Sequence, residues 1–413
     1  MTELTATERG STVTARAVSV RDGHNGLGAR ASELSTDIIT SVEGIRALRP
    51  DYEHLQRLTG NTLPFALQEW HLTWCAHFLI SNPHTQDEPR FCVLRKRSGD
   101  CVAIVPLIFT RRRIGPLRLA TLDLLGADPG LTEIRSPLIE PGYERLTVHA
   151  VHDSLAGLGD WDWILWRGLT GPLAEAMALE SAPRWQPGTE DFVLDLPPTW
   201  QELRAGLKRN VREALRHCYN SLKRDGHAFE FLVAREPGEV RRALGRFLEL
   251  HAMRANMARG VPHTNRFARR SSQDFLYDVC ARLAARDAVR VFQLRIGAEI
   301  VASRVAFAVA DSVYLYYSGF NPAWARYSVM TTTVAEALKY AIANGFRTVN
   351  LSPTAEQSKL RWRPRLVQFQ AAFVPRATLR SRIACHAYRV AMSQNGMPAQ
   401  LLKSLLSAYR KWN

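Results

Sequence analysis

The order of helix-like and strand-like segments occurs twice along the chain, and this order constrains the fold more than any other sequence feature. In the first half, Trp70, Trp74 and Phe78 recur at i, i+4 and i+8, which predicts one face of a helix. Two strand-like runs flank Ser98-Gly-Asp100 and predict a hairpin, and a helix and a strand follow within 148–166. The first half therefore reads helix, antiparallel hairpin, helix, strand.

The second half begins after Pro197-Pro198 and has the same order without any repeat in sequence. Its predicted segments are a long helix (200–224), a strand (228–233), helices (239–255 and 272–286), a hairpin (289–317), a helix (328–344) and strands (346–351 and 366–374). This alternation of periods predicts an α+β (mixed α/β) fold.

Charge is the second strong signal. The chain has 413 residues, enough for about two domains, and carries 54 Lys and Arg against 39 Asp and Glu, a net charge of +15. From Arg376 to the last residue there are seven Lys or Arg and no acid. This balance favours a polyanionic partner such as RNA, the pyrophosphate of coenzyme A or an anionic membrane surface, with a solvated arginine-rich surface as the alternative.

Other sequence features exclude several classes of protein. The six cysteines are scattered without a C-x-x-C pair, which argues against a disulfide framework and against a zinc site, so no metal is expected. No apolar run approaches the roughly 18 residues of a membrane span, and the N-terminus lacks a secretory signal pattern. These features predict a cytoplasmic protein without a transmembrane segment.

The predicted helix over 200–224 is amphipathic. An apolar stripe recurs every four residues, and a basic stripe lies beside it. The apolar positions are Leu203, Leu207, Val211 and Leu215, and the basic ones are Arg204, Lys208, Arg212 and Arg216. Four like charges at this spacing repel one another, which favours a phosphate-facing surface. The alternative is a packing helix whose arginines extend into water.

The predicted strand that ends at Asn350 leads into a polar turn carrying Glu356, Lys359 and Trp362. The spacing resembles a pattern of the GNAT superfamily, in the branch of CelD/BcsL-type acetyltransferases and Fem-like aminoacyl-tRNA-dependent transferases. That pattern runs Asp, three residues, Gly, one residue, Glu, two residues, Lys, two residues, Trp. Asn350 replaces its aspartate and Thr354 its glycine.

Two further segments resemble the same branch. In the turn Gly319-Phe-Asn-Pro322, asparagine replaces the aspartate usual in that branch, and Ser328 is a possible N-cap of the next helix. No glycine lies between 325 and 333, where GNAT proteins usually have a glycine-rich pyrophosphate loop. In the other segment, His251, Arg254 and Gly260 match the branch, and Ala255 replaces its tryptophan.

The resemblance implies a domain organisation of two tandem GNAT-like domains, each a mixed, largely antiparallel sheet flanked by helices. The predicted divisions are a disordered tail (1–40), a degenerate GNAT-like domain (41–195), a catalytic GNAT-like domain (196–376) and a basic helical tail (377–413).

Acyl transfer needs an acceptor for the proton of the nucleophile and donors for the developing oxyanion. Glu356 is the expected base and Lys359 the group that neutralises a phosphate or the oxyanion. The alternative is a Glu/Lys pair that only holds the loop. His251 and Tyr317 are further catalytic candidates, each with a structural role as the alternative. The expected donor- or phosphate-binding residues are Arg204, Lys208, Arg212, Arg216, Arg254, Ser328, Arg361 and Arg363, and the expected pocket residues are Trp362, Asn350 and Tyr316.

Three functions are compatible with these features. The first, favoured by the charge and by the missing glycine, is a transferase that moves an aminoacyl group from tRNA to a small molecule or cell-envelope precursor. The second is an acyl-CoA-dependent acetyltransferase of CelD type acting on a saccharide or metabolite. The third is a non-enzymatic RNA-binding protein on a GNAT scaffold. No tightly bound cofactor is expected, since aminoacyl-tRNA or acyl-CoA is a co-substrate.

Overall fold

The computed structural model describes residues 34–114, 117–257 and 263–392. The elements of the first half are β1 (Leu34–Ile39), α1 (Val42–Ala47), α2 (Arg49–Thr59), α3 (Gln68–Phe78), β2 (Thr85–Lys96), β3 (Cys101–Ile114), β4 (Leu117–Leu124), β5 (Leu138–Ile139), α4 (Glu144–Ala156), β6 (Trp163–Leu169), α5 (Gly171–Glu180) and β7 (Arg184–Asp195).

The elements of the second half are α6 (Trp200–Ala205), α7 (Arg209–Arg224), β8 (Phe229–Ala234), α8 (Pro237–Ala255), α9 (Arg270–Ala284), β9 (Val289–Ile296), β10 (Glu299–Val309), β11 (Ser312–Phe320), α10 (Val329–Ala343), β12 (Thr348–Asn350), α11 (Gln357–Leu360), β13 (Arg365–Pro375) and α12 (Leu379–Met392). Short 3-10 helices lie at Pro64–Ala66 and Pro322–Tyr327.

All thirteen strands belong to one mixed sheet. Its order is β1-β2-β3-β4-β6-β13-β7-β12-β11-β10-β9-β8, with β5 beside β3. Within each half, three consecutive strands form a meander, and a helix then leads to a strand parallel to the third: β6 beside β4, and β12 beside β11. The predicted mixed fold with a repeated order is therefore confirmed.

The two halves are joined by an exchange of their last strands. β7 ends the first half but pairs with β12 of the second, and β13 ends the second half but pairs with β6 of the first. The two exchanged strands also pair with each other. This exchange makes the sheet continuous, so both halves contribute to whatever site lies at the junction. The predicted division at 195/196 stays a prediction.

The largest apolar core also spans both halves. The helical face predicted from Trp70 and Trp74 lies in it, with both indoles buried. The Trp70 ring meets Phe275 of α9 and Phe307 of β10 edge to face, at centroid distances of 5.2 and 5.7 Å. Its indole N–H donates to Thr132 Oγ1 at 2.9 Å, so this polar atom is satisfied inside the core.

Two sequence predictions are wrong in detail. The helix predicted over 200–224 is interrupted between α6 and α7, because Gly206 is a poor helix former and its carbonyl accepts a hydrogen bond from Arg363 Nη1 at 2.9 Å instead. The predicted disorder of 1–40 is wrong for Leu34–Ile39, which pairs with β2 along its whole length; residues 1–33 lie outside the described residues. Of the predicted basic tail, Leu379–Met392 is helical.

None of the helices in the described ranges has the length and apolarity needed to span a membrane. The six cysteines are free and buried. Among the described side chains, no group of three or more His, Cys, Asp or Glu residues is arranged to hold a metal ion.

Gly319 lets β11 approach α8 closely. A Cβ at this position would lie 2.2 Å from the backbone nitrogen of His251 and 2.4 Å from the carbonyl carbon of Leu250. We expect Gly319→Ala to lower the free energy of unfolding by about 2–3 kcal/mol, measured by urea denaturation. The matched control is Gly245→Ala within α8, where the nearest atom lies 3.6 Å away; it should stabilise by about 0.5–1 kcal/mol. Equal stability of the two variants would contradict this account.

Candidate active site

A cavity of about 410 Å³ opens where two parallel strands separate. β11 and β12 pair only over Ser312–Tyr314 and Thr348–Asn350. Beyond these residues the strands diverge, and the cavity lies between the end of β11, the first turn of α10 and the loop that follows β12. A wedge of this kind leaves strand edges and side chains available to a ligand.

The first half contributes Glu133 to this cavity. Glu133 lies in the loop between β4 and β5, and consecutive N–H groups of that loop are held by the Asp128 carboxylate, including those of Gly130 at 2.9 Å and Leu131 at 2.6 Å. Asp128 therefore fixes the backbone of the loop in a tight turn.

Three tyrosines of β11 attach this loop to the second half. Tyr314 donates to Glu133 Oε2 at 2.8 Å, and Tyr316 donates to the Leu131 carbonyl at 2.6 Å. The Tyr317 hydroxyl donates to the Gly130 carbonyl. Glu133 is thus positioned by residues that are far from it in sequence.

Burial raises the pKa of Glu133 to about 7. The hydrogen bond from Tyr314 and the positive charges of Lys359 and Arg304 oppose this rise, whereas the negative charge of Asp191 adds to it. A carboxyl group that titrates near neutrality is suited to accept a proton from a nucleophile.

Two arginines of the cavity lining converge on one hydroxyl group. Arg254 Nη1 donates to Ser318 Oγ at 2.8 Å, and Arg304 Nη2 donates to the same atom at 3.2 Å. Neither guanidinium has an ion-pair partner among the described residues, and Arg304 Nε is buried without a hydrogen bond. Burial, and next the charge of Arg254, lowers the pKa of Arg304 to about 10. Two close cations with an unused donor favour the binding of an anion.

Asn350 is buried at the end of β12, next to a carboxylate from another strand. Its Nδ2 donates to Asp191 Oδ2 at 2.6 Å, and its Oδ1 accepts from the Ser352 N–H at 2.7 Å. Burial raises the pKa of Asp191 to about 6, and its Oδ1 has no partner. The carboxylate missing at position 350 is therefore supplied by β7, one of the exchanged strands.

The loop after β12 brings Glu356 and Lys359 to the cavity; their catalytic roles stay predictions. Lys359 Nζ donates to Ser352 Oγ at 3.1 Å and also to the carbonyls of Ser352 and Pro353, and burial lowers its pKa. The carboxylate of Glu356 is exposed and accepts from Ser358 Oγ at 3.1 Å. In this structure Lys359 holds the turn, whereas Glu356 remains open to a ligand.

Thr354 keeps the backbone conformation that glycine would adopt. Its φ is +83°, in the left-handed region that β-branched residues rarely occupy. This conformation explains why the resembling pattern has glycine there, and it costs about 1–3 kcal/mol.

His251 lies behind the cavity and does not line it. The imidazole is fully buried, its Nδ1 donates to the Ser318 carbonyl at 2.9 Å, and its Nε2 accepts from the Arg266 N–H at 3.4 Å. Burial lowers its pKa. Both ring nitrogens are therefore engaged by the backbone. The matching Gly260 lies outside the described residues.

The predicted donor residues lie around the first turn of α10. Ser328 is the N-cap residue of this helix, with φ +53°, but its side chain makes no capping hydrogen bond. Arg361 Nη1 donates to Thr331 Oγ1 at 3.4 Å. Arg363 reaches Gly206 at the interruption between α6 and α7.

The basic stripe of α6 and α7 is not part of the cavity lining. Three of its members, Arg204, Lys208 and Arg216, are exposed, and Arg212 is half-buried. The predicted pocket residues Trp362 and Tyr316 line the cavity, although both side chains are mostly buried in apolar cores.

Three residues of this site were not predicted from sequence. Arg304 is a charge in the middle of the stretch 301–309 of β10, which is otherwise apolar apart from Ser303; this signal could have revealed it. Glu133 and Asp191 come from the first half, and their position depends on loop docking and strand exchange, which no local pattern encodes.

Comparison with known proteins finds a family match for part of the chain. Residues 209–360 match the acetyltransferase (GNAT) domain family. No curated protein sequence matches the chain. The structure of FemX superposes with a TM-score of 0.56 at 12% identity, covering 81% of this chain and 96% of that one.

Two other solved structures align over similar lengths with TM-scores below 0.5. L-PGS from Bacillus licheniformis aligns at 0.46 and 12% identity, over 81% of this chain and 94% of that one. A tandem GNAT protein from the clavulanic acid biosynthesis pathway aligns at 0.43 and 13% identity, over 83% and 98%. The TM-score of 0.56 with FemX shows that the two chains share a fold.

Proposed function

We propose that this chain is an acyltransferase of the GNAT superfamily and that it moves an acyl or aminoacyl group from an activated donor directly to an amine or hydroxyl; the match of residues 209–360 to the acetyltransferase (GNAT) domain family supports this. One observation carries the proposal: Glu133, whose pKa burial raises to about 7, lines the same cavity as two arginines that have no ion-pair partner among the described residues, Arg254 and Arg304. This arrangement combines a proton acceptor with an anion site.

In the proposed reaction, the nucleophile of the acceptor attacks the acyl carbon of the donor. Its proton passes to Glu133, and the bond from the acyl carbon to the leaving group breaks. Tyr317 lines the cavity, and burial raises the pKa of its phenol, so it stays protonated in the resting site. It gives its proton to the leaving oxygen or sulfur and takes up the proton that Glu133 accepted, which returns both groups to their starting state. Glu356 is the second candidate base, because its carboxylate is open to the cavity.

The favoured donor is an aminoacyl-tRNA. Arg361 lies at the first turn of α10, where helix N–H groups and the helix dipole attract phosphate. Arg363 links this turn to Gly206, so the exposed Arg204 and Lys208 continue the basic surface away from the cavity. A basic path of this kind suits a long polyanion. A charged tRNA as donor would place the reaction in the cytoplasm, with a small molecule or envelope precursor as acceptor.

The second candidate donor is an acyl-CoA. The first turn of a helix also suits the pyrophosphate of coenzyme A, and Thr331 and Arg361 lie there. The residue before α10 argues against this donor. Ser328 has a left-handed backbone conformation, and its side chain fills space that glycine would leave open to a pyrophosphate.

Calorimetric titration distinguishes the donors. We expect folded protein at near-physiological salt to bind an amide-linked, non-hydrolysable aminoacyl-tRNA at micromolar affinity or tighter, and acetyl-CoA without measurable heat. The double variant Arg204→Ala/Lys208→Ala should reduce the slope of log K against log salt by roughly one per residue. Arg270→Ala, an exposed arginine of α9, is the matched control. Saturable binding of acetyl-CoA alone would establish the second candidate, and binding of neither ligand would contradict both.

A further inference from the structure

A second cavity, of about 700 Å³, shares no lining residue with the active-site cavity. It lies where the β3–β4 hairpin, the start of β6 and the end of β13 meet the start of α12. Its lining contains six arginines: Arg111, Arg112, Arg113, Arg118, Arg376 and Arg380. We call this surface the arginine cleft.

The acids of the arginine cleft neutralise it only in part. Asp160 is bound by both terminal nitrogens of Arg90, at 2.9 and 2.8 Å, and pairs with one cleft arginine, Arg111, at 3.4 Å. Asp162 lies 4.0 Å from a second cleft arginine, Arg380. Asp162 is buried and accepts from the Ala120 N–H at 2.9 Å and from Ser381 Oγ at 3.2 Å.

Four of the cleft arginines have no ion-pair partner among the described residues; one of them, Arg376, is half-buried and donates to the Gly159 carbonyl. Arg112, Arg113 and Arg118 are exposed and form no ion pair within the described part of the chain. Arg380 extends one guanidinium nitrogen to the Arg118 carbonyl at 2.7 Å, which keeps it over the cleft. The cleft therefore presents an uncompensated positive field to solvent.

An apolar surface adjoins these charges. On α12, Leu379 is 75% exposed and Ile383 is 59% exposed. Their spacing of four residues puts both on one face of the helix, whereas Cys385 and Tyr388 on the opposite face pack against β6 and β13. Arg380, beside Leu379, belongs to the cleft. The exposed face of α12 thus carries two large apolar side chains next to exposed arginines, Arg380 and Arg382.

We propose that the arginine cleft and the Leu379/Ile383 face dock the protein onto the surface of an anionic lipid bilayer. Arginines near such a surface are attracted to its headgroups, and apolar side chains of an amphipathic helix enter the boundary of the acyl chains. The acid-free sequence from Arg376 to the last residue suits the same surface.

RNA fits these observations less well. Single-stranded nucleic acid is held by exposed aromatic side chains on which bases stack. The aromatic residue that lines the arginine cleft within the described residues, Trp161, is only 6% exposed. Nucleic acid also offers no partner for the exposed leucine and isoleucine of α12.

Co-sedimentation of the full chain with vesicles tests the proposal. We expect binding to vesicles of equal parts phosphatidylglycerol and phosphatidylcholine, little binding to phosphatidylcholine alone, and release as salt rises. Arg112→Gln/Arg113→Gln should weaken binding roughly 30-fold, about fivefold for each arginine. Leu379→Ser/Ile383→Ser should weaken it on the order of tenfold or more.

Matched controls are Arg270→Gln on α9 and Leu179→Ser on α5, which remove an equally exposed arginine and an equally exposed leucine elsewhere. Both should bind vesicles like the unchanged protein. Equal binding to the two kinds of vesicle would overturn the proposal. A second result would also overturn it: the protein does not bind vesicles but binds bulk tRNA, and Arg112→Gln/Arg113→Gln abolishes the tRNA binding. Acyl transfer is not measured in this experiment, so its outcome is independent of the proposed donor.

Discussion

Glu133→Gln is expected to lower kcat for acyl transfer by about 10²–10⁴-fold, the usual contribution of a positioned general base. Glutamine keeps the size of the side chain and an oxygen for the hydroxyl of Tyr314, which donates to Glu133 at 2.8 Å. The loop should therefore stay docked while the proton acceptor is lost. The measurement is single-turnover transfer from the donor identified by calorimetry, with circular dichroism to confirm folding.

The pH dependence of the rate is a second test of Glu133 as the base. Because Glu133 accepts a proton only when ionised and its pKa is about 7, kcat/KM should rise with pH through neutrality and level off above it. Tyr314→Phe removes a hydrogen bond that lowers this pKa, so the rise should move to higher pH. Asp191→Asn removes a negative charge that raises it, so the rise should move to lower pH.

Opposite displacements in these two variants would identify Glu133 as the titrating group. A full rate in Glu133→Gln, with a large loss in Glu356→Gln, would instead assign the base to the loop after β12. Loss in neither variant would contradict general base catalysis by either carboxylate.

Local sequence patterns predicted the parts of the fold that depend on local physics. The spacing of Trp70 and Trp74 predicts a buried helical face, and both indoles are buried in the core. In this case the period of the helix determines the result. Glu356 and Lys359 were named from the resemblance of their spacing to a family pattern; both line one cavity, and their roles stay predictions.

Long-range pairing determines the rest, and no window of sequence contains it. The exchange of β7 and β13 is decided by which strand edges are left open after both halves fold, and it places Asp191 beside Asn350. The interruption at Gly206 depends likewise on Arg363, a residue more than a hundred positions away. Sequence reasoning therefore named candidate residues in the loop after β12 and missed Arg304 as well as the two carboxylates that come from the first half.

The second large effect is expected at the arginine couple, where binding and stability should change in opposite directions. Arg304→Met removes a buried guanidinium whose Nε has no partner and which lies close to a second cation, Arg254. Without ligand, the free energy of unfolding should therefore stay constant or rise by about 1–2 kcal/mol. The KM of the substrate whose anion meets the couple should rise roughly 10- to 150-fold, corresponding to about 1.5–3 kcal/mol for a charged hydrogen bond.

The matched control is Arg290→Met, which also removes a buried arginine. Arg290 is fully paired, since it donates to Asp287 Oδ1 at 2.8 Å and to the Tyr340 hydroxyl at 2.8 Å. Its loss should destabilise the fold by about 3–5 kcal/mol, as for other broken buried pairs, and leave KM unchanged. For both variants, urea denaturation measures the free energy of unfolding and steady-state kinetics measure the KM of each substrate. If Arg304→Met destabilises as Arg290→Met does and leaves both KM values unchanged, Arg304 supports the fold and the anion site is refuted. A rise in KM without loss of stability means that this cation is held unpaired for a substrate.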